Sequence, residues 1–244
     1  MKRLTIFVLF LFLNVDYALA EVVEIPDPNL RKVLSEAIGI NPERDITKKA
    51  LASVNNLFVF DKGISDISGI EHCTKLKVLD LRNNLLTDIS GLNGANLPKL
   101  EVLDLQDNQI TDISGLNGAN LPNLRRLSLN NNQITDLSGL SGADLPKLEK
   151  LTLQNNEITD ISVLNWANFP NLVYLSLHQN PLSNDTVLNQ IPKLKETIPH
   201  ITVHPVKIPI QLTGDVNGDG TVNIFDLVIA AGSFGKTGDG RCQW

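Results

Sequence analysis

Oxygen-bearing side chains recur at the spacing of a calcium-binding loop near the C-terminal end of the sequence. Counted from Asp215, they occupy positions 1, 3, 5, 7, 9 and 12, and a glycine stands at position 6. These residues are Asp215, Asn217, Asp219, Thr221, Asn223 and Asp226. Ca2+ prefers six or more oxygen ligands, and a loop that turns at glycine brings them around one ion. The spacing therefore predicts a Ca2+ site in which Thr221 ligates through its carbonyl oxygen and Asn223 through water.

Asp80 and Asp104 form the one carboxylate pair that suggests acid–base chemistry. They stand 24 residues apart in a repeating segment, and adjacent strands would place them about 4.8 Å apart, close to the spacing in a retaining glycosidase. Such catalysis needs a water-shielded pocket in which the two pKa values differ, and an open sheet supplies none. We expect Arg82 and Arg126 to neutralise these charges instead. The sequence thus predicts that the protein is not an enzyme.

Asp80 and Asp104 lie in a 24-residue repeat that determines their positions. Five units open with the pattern Leu-x-x-Leu-x-Leu-x-x-Asn, and a sixth, divergent unit precedes them with Lys62 at the asparagine position. The opening leucines are Leu76, Leu100, Leu124, Leu148 and Leu172, and the asparagines are Asn84, Asn108, Asn132, Asn156 and Asn180. A fixed period in this range indicates a solenoid, and this opening pattern is that of the leucine-rich repeat.

Each recurring residue has a predicted mechanical role. Alternation in Leu-x-Leu points leucines inward and polar residues outward from a short strand, and neighbouring units align these strands as a parallel sheet. The asparagine amide is expected to satisfy backbone groups at the turn, which gives an internal asparagine ladder. The recurring aspartates of the next segment are predicted to cap turns rather than to bind metal. They are Asp88, Asp112, Asp136 and Asp160.

This stretch resembles the internalin-like leucine-rich repeats of bacterial surface and secreted proteins. The resemblance rests on the segment Ile/Leu-Thr-Asp-Ile/Leu-Ser-Gly-Leu and on the flanking segments. It implies an α/β solenoid, a leucine-rich repeat horseshoe with a parallel concave sheet, in which residues 21–53 form a helical N-terminal cap and residues 54–204 hold the repeats and a C-terminal cap. Asp27 is predicted to cap a helix that starts at Pro28, and a strand is predicted at Ile201.

In such a solenoid the outward strand positions line the concave surface, and function is expected there. Seven residues are the candidates for contact with a partner: Asp80, Arg82, Asp104, Arg126, Lys150, Tyr174 and His178. Protein-binding hot spots favour Trp, Tyr and Arg, which makes Arg126 and Tyr174 the first candidates. The alternative is a solvated polar face without a partner.

The C-terminal segment is a second module after a Pro-containing linker at residues 205–213. Residues 214–244 resemble one repeat of a type I dockerin, an EF-hand-like loop and helix that docks onto cohesins. Dockerins carry two such repeats, and Ile224 and Phe225 stand where cellulosomal dockerins often have Ser and Thr. Two functions of this segment therefore remain as alternatives. It docks onto a cohesin-like scaffold, with a link to polysaccharide breakdown, or it is a purely structural calcium module.

Residues 1–20 have the basic start, apolar run and small residues of a cleaved signal peptide. No later stretch is long enough to span a bilayer, so we expect a protein that is secreted or held at the cell surface. The net charge of −6, without a basic block, argues against nucleic acid as a partner. Cys73 is expected to face inward, and Cys242 has no assigned role. The sequence as a whole predicts a binding protein that recognises an extracellular protein or glycan.

Overall fold

The computed structural model describes residues 21–143, 145–164, 169–198 and 201–203. The chain divides into two units, residues 1–206 and 207–244. All described residues belong to the first unit. The predicted signal peptide, the linker, the calcium module and Cys242 therefore lie outside the described residues.

A parallel sheet runs through the described part of the chain, with its strands in sequence order. Its seven strands are β1 (Asn56–Phe58), β2 (Val78–Asp80), β3 (Val102–Asp104), β4 (Arg126–Ser128), β5 (Lys150–Thr152), β6 (Tyr174–Ser176) and β7 (Thr202–Val203). Leu57 pairs with Leu79 and Leu79 with Leu103, so the sequence spacing of 22 and then 24 residues is the strand register. The predicted parallel sheet of a leucine-rich repeat solenoid is confirmed.

The core lies directly behind the sheet and continues through every repeat. Leu79, Leu103, Leu127, Leu151 and Leu175 are fully buried, because alternate strand residues point to the same side. The apolar residues after each asparagine, from Leu86 to Ile158, and those three positions later are equally inaccessible. The divergent first unit contributes Val54, Leu57 and Val59 to the same core. Each strand is thus fixed from behind by a continuous apolar layer.

The predicted asparagine ladder is present. The Asn132 amide nitrogen donates to the carbonyl oxygens of Leu105 and Leu129 at 3.1 and 3.0 Å. Its oxygen accepts from the Ile110 N–H at 2.9 Å. The same arrangement recurs at Asn84, Asn108, Asn156 and Asn180. Each amide therefore satisfies buried backbone groups of its own coil and of the preceding coil.

Short helical turns return the chain behind the sheet. They are the 3-10 turns Ile70–His72, Ser90–Leu92 and Ser114–Leu116, and helix α3 (Ser138–Ser141) in the following unit. Asp88 accepts hydrogen bonds from the backbone N–H and the hydroxyl of Ser90 at 2.9 and 2.6 Å. Asp112, Asp136 and Asp160 hold the serine two residues later in the same way. The prediction that these aspartates cap turns is confirmed.

Two helices precede the sheet, α1 (Pro28–Ile38) and α2 (Lys48–Leu51). Helix α1 begins at Pro28, and one Asp27 oxygen accepts from the N–H groups of Asn29 and Leu30, as predicted. The other Asp27 oxygen accepts from the N–H and the hydroxyl of Ser65 in the first repeat, at 2.8 and 3.1 Å. One buried carboxylate therefore links the helix start to the first repeat.

A different connection leads to the last strand. A π-helical stretch (Thr186–Gln190) continues into α4 (Ile191–Thr197), after which β7 pairs with β6. The strand predicted after Ile201 is confirmed. Cys73 faces inward and is a free thiol, and burial together with the nearby Glu71 raises its pKa to about 12. It is therefore a core residue without thiolate chemistry at neutral pH.

Candidate functional site

The candidate site is the side of the sheet that faces away from the core, which we call the sheet face. It corresponds to the predicted concave surface, and strand pairing arranges its side chains in rows across the strands. The first row is Val78, Val102, Arg126, Lys150 and Tyr174, the second is Asp80, Asp104, Ser128, Thr152 and Ser176, and the third is Arg82, Gln106, Asn130, Gln154 and His178. All seven predicted contact residues lie on this face.

Asp80, Arg82 and Asp104 form an ionic cluster at the start of the face. The Arg82 Nε and terminal nitrogen donate to the two Asp80 oxygens at 2.8 and 2.6 Å. The Arg82 Nε also lies 3.7 Å from an Asp104 oxygen. Burial raises the pKa of Asp104, and the hydrogen bond from the Gln106 N–H opposes this only in part. Neutralisation by Arg82 is confirmed, whereas Arg126 forms no ion pair with either carboxylate in the described part of the chain.

Three side chains of the second row are buried, although their strand positions point away from the core. Asp80 is 7% exposed, Thr152 5% and Ser176 0%. Each is covered because it hydrogen bonds to a third-row neighbour: Asp80 to Arg82, the Thr152 hydroxyl to Asn130 at 3.0 Å, and the Ser176 hydroxyl to His178 Nδ1 at 2.9 Å. These three side chains and Asn130, which is 7% exposed, therefore form a polar floor of the sheet face.

An aromatic pair at the first strand was missing from the sequence prediction. Phe58 and Phe60 are 59% and 52% exposed on the sheet face. Phe58 pairs with Asp80, and the Arg82 guanidinium carbon lies 5.8 Å from the centre of the Phe60 ring. The signal was present in the sequence, because these residues stand 22 positions before Asp80 and Arg82. Only the five regular units were used to assign this face, so the divergent first unit was left out.

The other half of the face is basic. Arg126 and Lys150 are exposed neighbours in the strand register, and the Lys150 ammonium lies 4.7 Å from the centre of the Tyr174 ring. A groove of about 310 Å³ lies over β3 to β6 beside these residues. The face therefore has an aromatic start, a neutralised acidic cluster and a basic end.

The six predicted Ca2+ ligands, from Asp215 to Asp226, lie outside the described residues. Within the described ranges, no group of three or more His, Cys, Asp or Glu side chains is arranged to hold a metal ion. No helix in those ranges is both long enough and apolar enough to cross a membrane.

Two family models match the sequence. A model described as leucine-rich repeats in two copies matches residues 53–94 and 98–142. A second model, described as leucine-rich repeat, matches residues 122–182. Together they cover about half of the chain, and their bounds contain the strands from β1 to β6.

Solved structures similar to this chain include two internalins from Listeria monocytogenes. The first (inlF) is 23% identical with a TM-score of 0.36, and the match covers 75% of this chain and 76% of that chain. The second (inlC2) is 29% identical with a TM-score of 0.32, covering 68% of this chain and 90% of that chain. No curated protein matches the sequence. With its family-model matches, its register and its asparagine ladder, the chain is a leucine-rich repeat protein.

Proposed function

We propose that this chain is a secreted or cell-surface binding protein whose sheet face recognises an extracellular protein or glycan. One observation carries the proposal: two phenylalanine rings are exposed side by side on a regular sheet, next to an arginine held by two carboxylates. Aromatic residues and arginine are enriched in protein interfaces, where they supply most of the binding energy. A protein ligand is therefore the better match to this end of the face.

Capture of partners from a culture of the producing cells tests this proposal. The full chain serves as bait, and the variants Phe58→Ala/Phe60→Ala and Arg126→Ala/Tyr174→Ala remove the two ends of the face. We expect each double variant to lose a partner that the unmodified protein retains. Leu188→Ala is the matched control, since Leu188 is 61% exposed but lies off the sheet. Equal capture by all variants would exclude the sheet face as the binding site.

We also propose that the C-terminal segment binds Ca2+ through Asp215, Asn217, Asp219, Thr221, Asn223 and Asp226. Support comes from the ligand spacing and the glycine at the sixth loop position. Calorimetric titration of the full chain with CaCl2 should show one site, and Asp215→Ala/Asp219→Ala should remove it. The matched control is Asp112→Ala, because Asp112 caps a turn of the repeats. Heat of binding that survives the double substitution would place the ion elsewhere.

The dockerin-like sequence favours a second candidate function, in which this segment tethers the repeats to a cohesin-like scaffold. Here binding would require Ca2+ and would be independent of the sheet face. A cohesin domain that is retained by the Ca2+-loaded chain, and released by chelator, would support docking. Failure of the folded, Ca2+-loaded chain to retain it would leave a structural calcium module.

A further inference from the structure

The groove over β3 to β6 differs in chemistry from the aromatic end of the face. Its lining includes Arg126, Lys150 and Tyr174 of the first row, Ser128 and Thr152 of the second row and Gln154 of the third row. Asp104 lies at the β3 edge of the groove, 3.7 Å from the Arg82 Nε that balances its charge. The groove is open to solvent and has a volume of about 310 Å³. It therefore has room for a few side chains of a partner rather than for a folded element.

Arg126 and Lys150 form no ion pair with another described residue. Two other described arginines do: Arg82 is held by Asp80 and Asp104, and Arg125 pairs with Glu149. Arg126 and Lys150 are directly paired in the parallel register, which places their backbones about 4.8 Å apart. Two adjacent cations without carboxylate partners can hold two carboxylates of a ligand.

Gln154 supplies the complementary group. Its side-chain oxygen is buried in the groove and accepts no hydrogen bond. A buried acceptor without a donor is unfavourable, so a ligand that brings an N–H to this atom is preferred over one that does not. The groove thus presents two cationic side chains and one buried acceptor, while the Asp104 carboxylate at its β3 edge is balanced by Arg82.

We propose that this groove binds an acidic peptide segment of the protein recognised by the sheet face. Its carboxylates would contact Arg126 and Lys150, and a backbone N–H would donate to Gln154. This inference rests on the proposed binding function and specifies the chemistry of the partner. A peptide is favoured over an anionic glycan because Lys150 already lies over the Tyr174 ring, the surface on which a sugar would stack. Phe58 and Phe60 lie at β1, three strand spacings or about 14 Å from β4, and would take apolar side chains of the same partner.

Fluorescence anisotropy with labelled peptides tests the proposal on the full chain. We expect a capped hexaglutamate to bind and a hexaglutamine peptide of equal length not to bind. Arg126→Gln/Lys150→Gln should weaken hexaglutamate binding by at least about tenfold. Raising NaCl from about 50 to about 300 mM should weaken it further, because the groove is exposed to solvent.

Two controls separate the groove from general charge. Lys75→Gln/Lys99→Gln removes the same charge from exposed residues outside the sheet and should leave binding unchanged. Gln154→Glu places a further carboxylate in the groove and should weaken hexaglutamate binding. Circular dichroism of each variant checks that the fold is retained.

Three results would overturn the proposal: no binding of hexaglutamate, binding that ignores Arg126→Gln/Lys150→Gln, or binding of oligogalacturonate in place of the peptide. The last result would replace the acidic peptide with an anionic glycan. Partner capture that depends on Phe58 and Phe60 but not on Arg126 and Lys150 would leave the binding function standing and reject the acidic segment. Capture that depends on neither pair would reject both.

Discussion

The internal asparagines show how one side-chain type can close a backbone turn. Asn132 must donate to two carbonyl oxygens and accept from one N–H within a buried space. An aspartate lacks the donors, and a serine hydroxyl carries one hydrogen where two are needed. The sequence pattern therefore identifies the turn chemistry directly. In the first unit, where Lys62 stands at this position, the Asn84 oxygen of the next unit accepts from the Lys62 N–H.

Replacing one ladder residue should cost more than replacing an exposed asparagine. Asn132→Ala leaves the buried Ile110 N–H without its acceptor and removes one of the two amide donors from each of the Leu105 and Leu129 carbonyls, and we expect a loss of about 3 kcal/mol in the free energy of unfolding. Asn120→Ala, at an exposed position whose side chain donates a hydrogen bond to Asn96, should change it by less than about 0.5 kcal/mol. Urea denaturation of both variants measures the difference. Equal stability of the two would contradict a structural role of the ladder.

Two aspartates are expected to respond to pH with opposite sign. Burial raises the pKa of Asp27, but hydrogen bonds from Ser65, Leu30 and Asp66 outweigh it, so the pKa lies below its usual value. The pKa of Asp104 lies above its usual value because burial dominates. The charged form of Asp27 therefore stabilises the fold above the unfolded-state pKa and loses this effect as pH falls through the folded-state value. The charged form of Asp104 destabilises the fold at neutral pH, and this effect disappears as the pH falls through the raised pKa.

Replacing each of these two aspartates by asparagine should change the free energy of unfolding in opposite directions. At about pH 7, Asp27→Asn is expected to lower the free energy of unfolding and Asp104→Asn to raise it. Both differences from the unmodified protein should shrink as the pH approaches about 3, where the carboxyls become protonated. Urea denaturation across this range provides the measurement. A stability gain for Asp104→Asn that persists at low pH would show that its carboxyl charge is not the cause.

At the scale of elements, glycine sets the distance between neighbouring turns behind the sheet. A Cβ atom on Gly115 would lie 2.1 Å from the Ile89 carbonyl oxygen, and one on Gly139 would lie 2.1 Å from that of Ile113. These contacts involve backbone atoms, which cannot move away by rotation about a side-chain torsion angle. The glycine of each Ser-Gly-Leu segment is therefore required by close packing between coils.

Gly115→Ala should destabilise the protein although alanine lowers the entropy of the unfolded chain. The entropic gain is about 0.4–1 kcal/mol, while forcing a methyl group into backbone contact costs about 1–3 kcal/mol. We expect a net loss of about 1 kcal/mol, measured by thermal and urea denaturation. Asn117→Ala, an exposed position in the same turn, is the control and should be nearly neutral. A stabilised Gly115→Ala variant would show that the two coils can separate at little cost.

The strands and turns were predictable because each has a strict local signal. A period-2 leucine pattern fixes which side of a strand is buried, and the 24-residue spacing fixes the register, as Leu103 and Leu127 show. The cover over Thr152 and Ser176 was not predictable, since it depends on which side chains bond with their third-row neighbours. Phe58 and Phe60 were missed for another reason: the shorter first unit hides them from a search based on the regular period.

The whole solenoid is stabilised through contacts between neighbouring units. Each strand from β2 to β6 pairs with the strand before it and the strand after it, and each asparagine joins its own coil to the previous one. In such an array, stability is approximately a sum of unit terms and neighbour terms. Damage to one unit should therefore remain largely local.

Leu127→Ala tests this locality. Leu127 is fully buried in β4, and its truncation should cost about 3 kcal/mol through lost contacts and a cavity. In hydrogen exchange followed by mass spectrometry, we expect the largest acceleration in β3, β4 and β5 and a smaller one in β1. Uniform acceleration from β1 to β7 would instead indicate that the array opens as one cooperative block.

The close-packed turns have a consequence for how the molecule can change length. Residues 87–98 and 111–122 have identical sequences, so duplication or loss of one 24-residue unit, such as residues 87–110, would join like to like and keep every glycine and asparagine contact. Each such event would shift the phenylalanine pair relative to Arg126 by one strand spacing, about 4.8 Å. The number of repeats therefore sets the distance between the phenylalanine pair and Arg126. This distance can change in steps of one strand spacing without any change in the core.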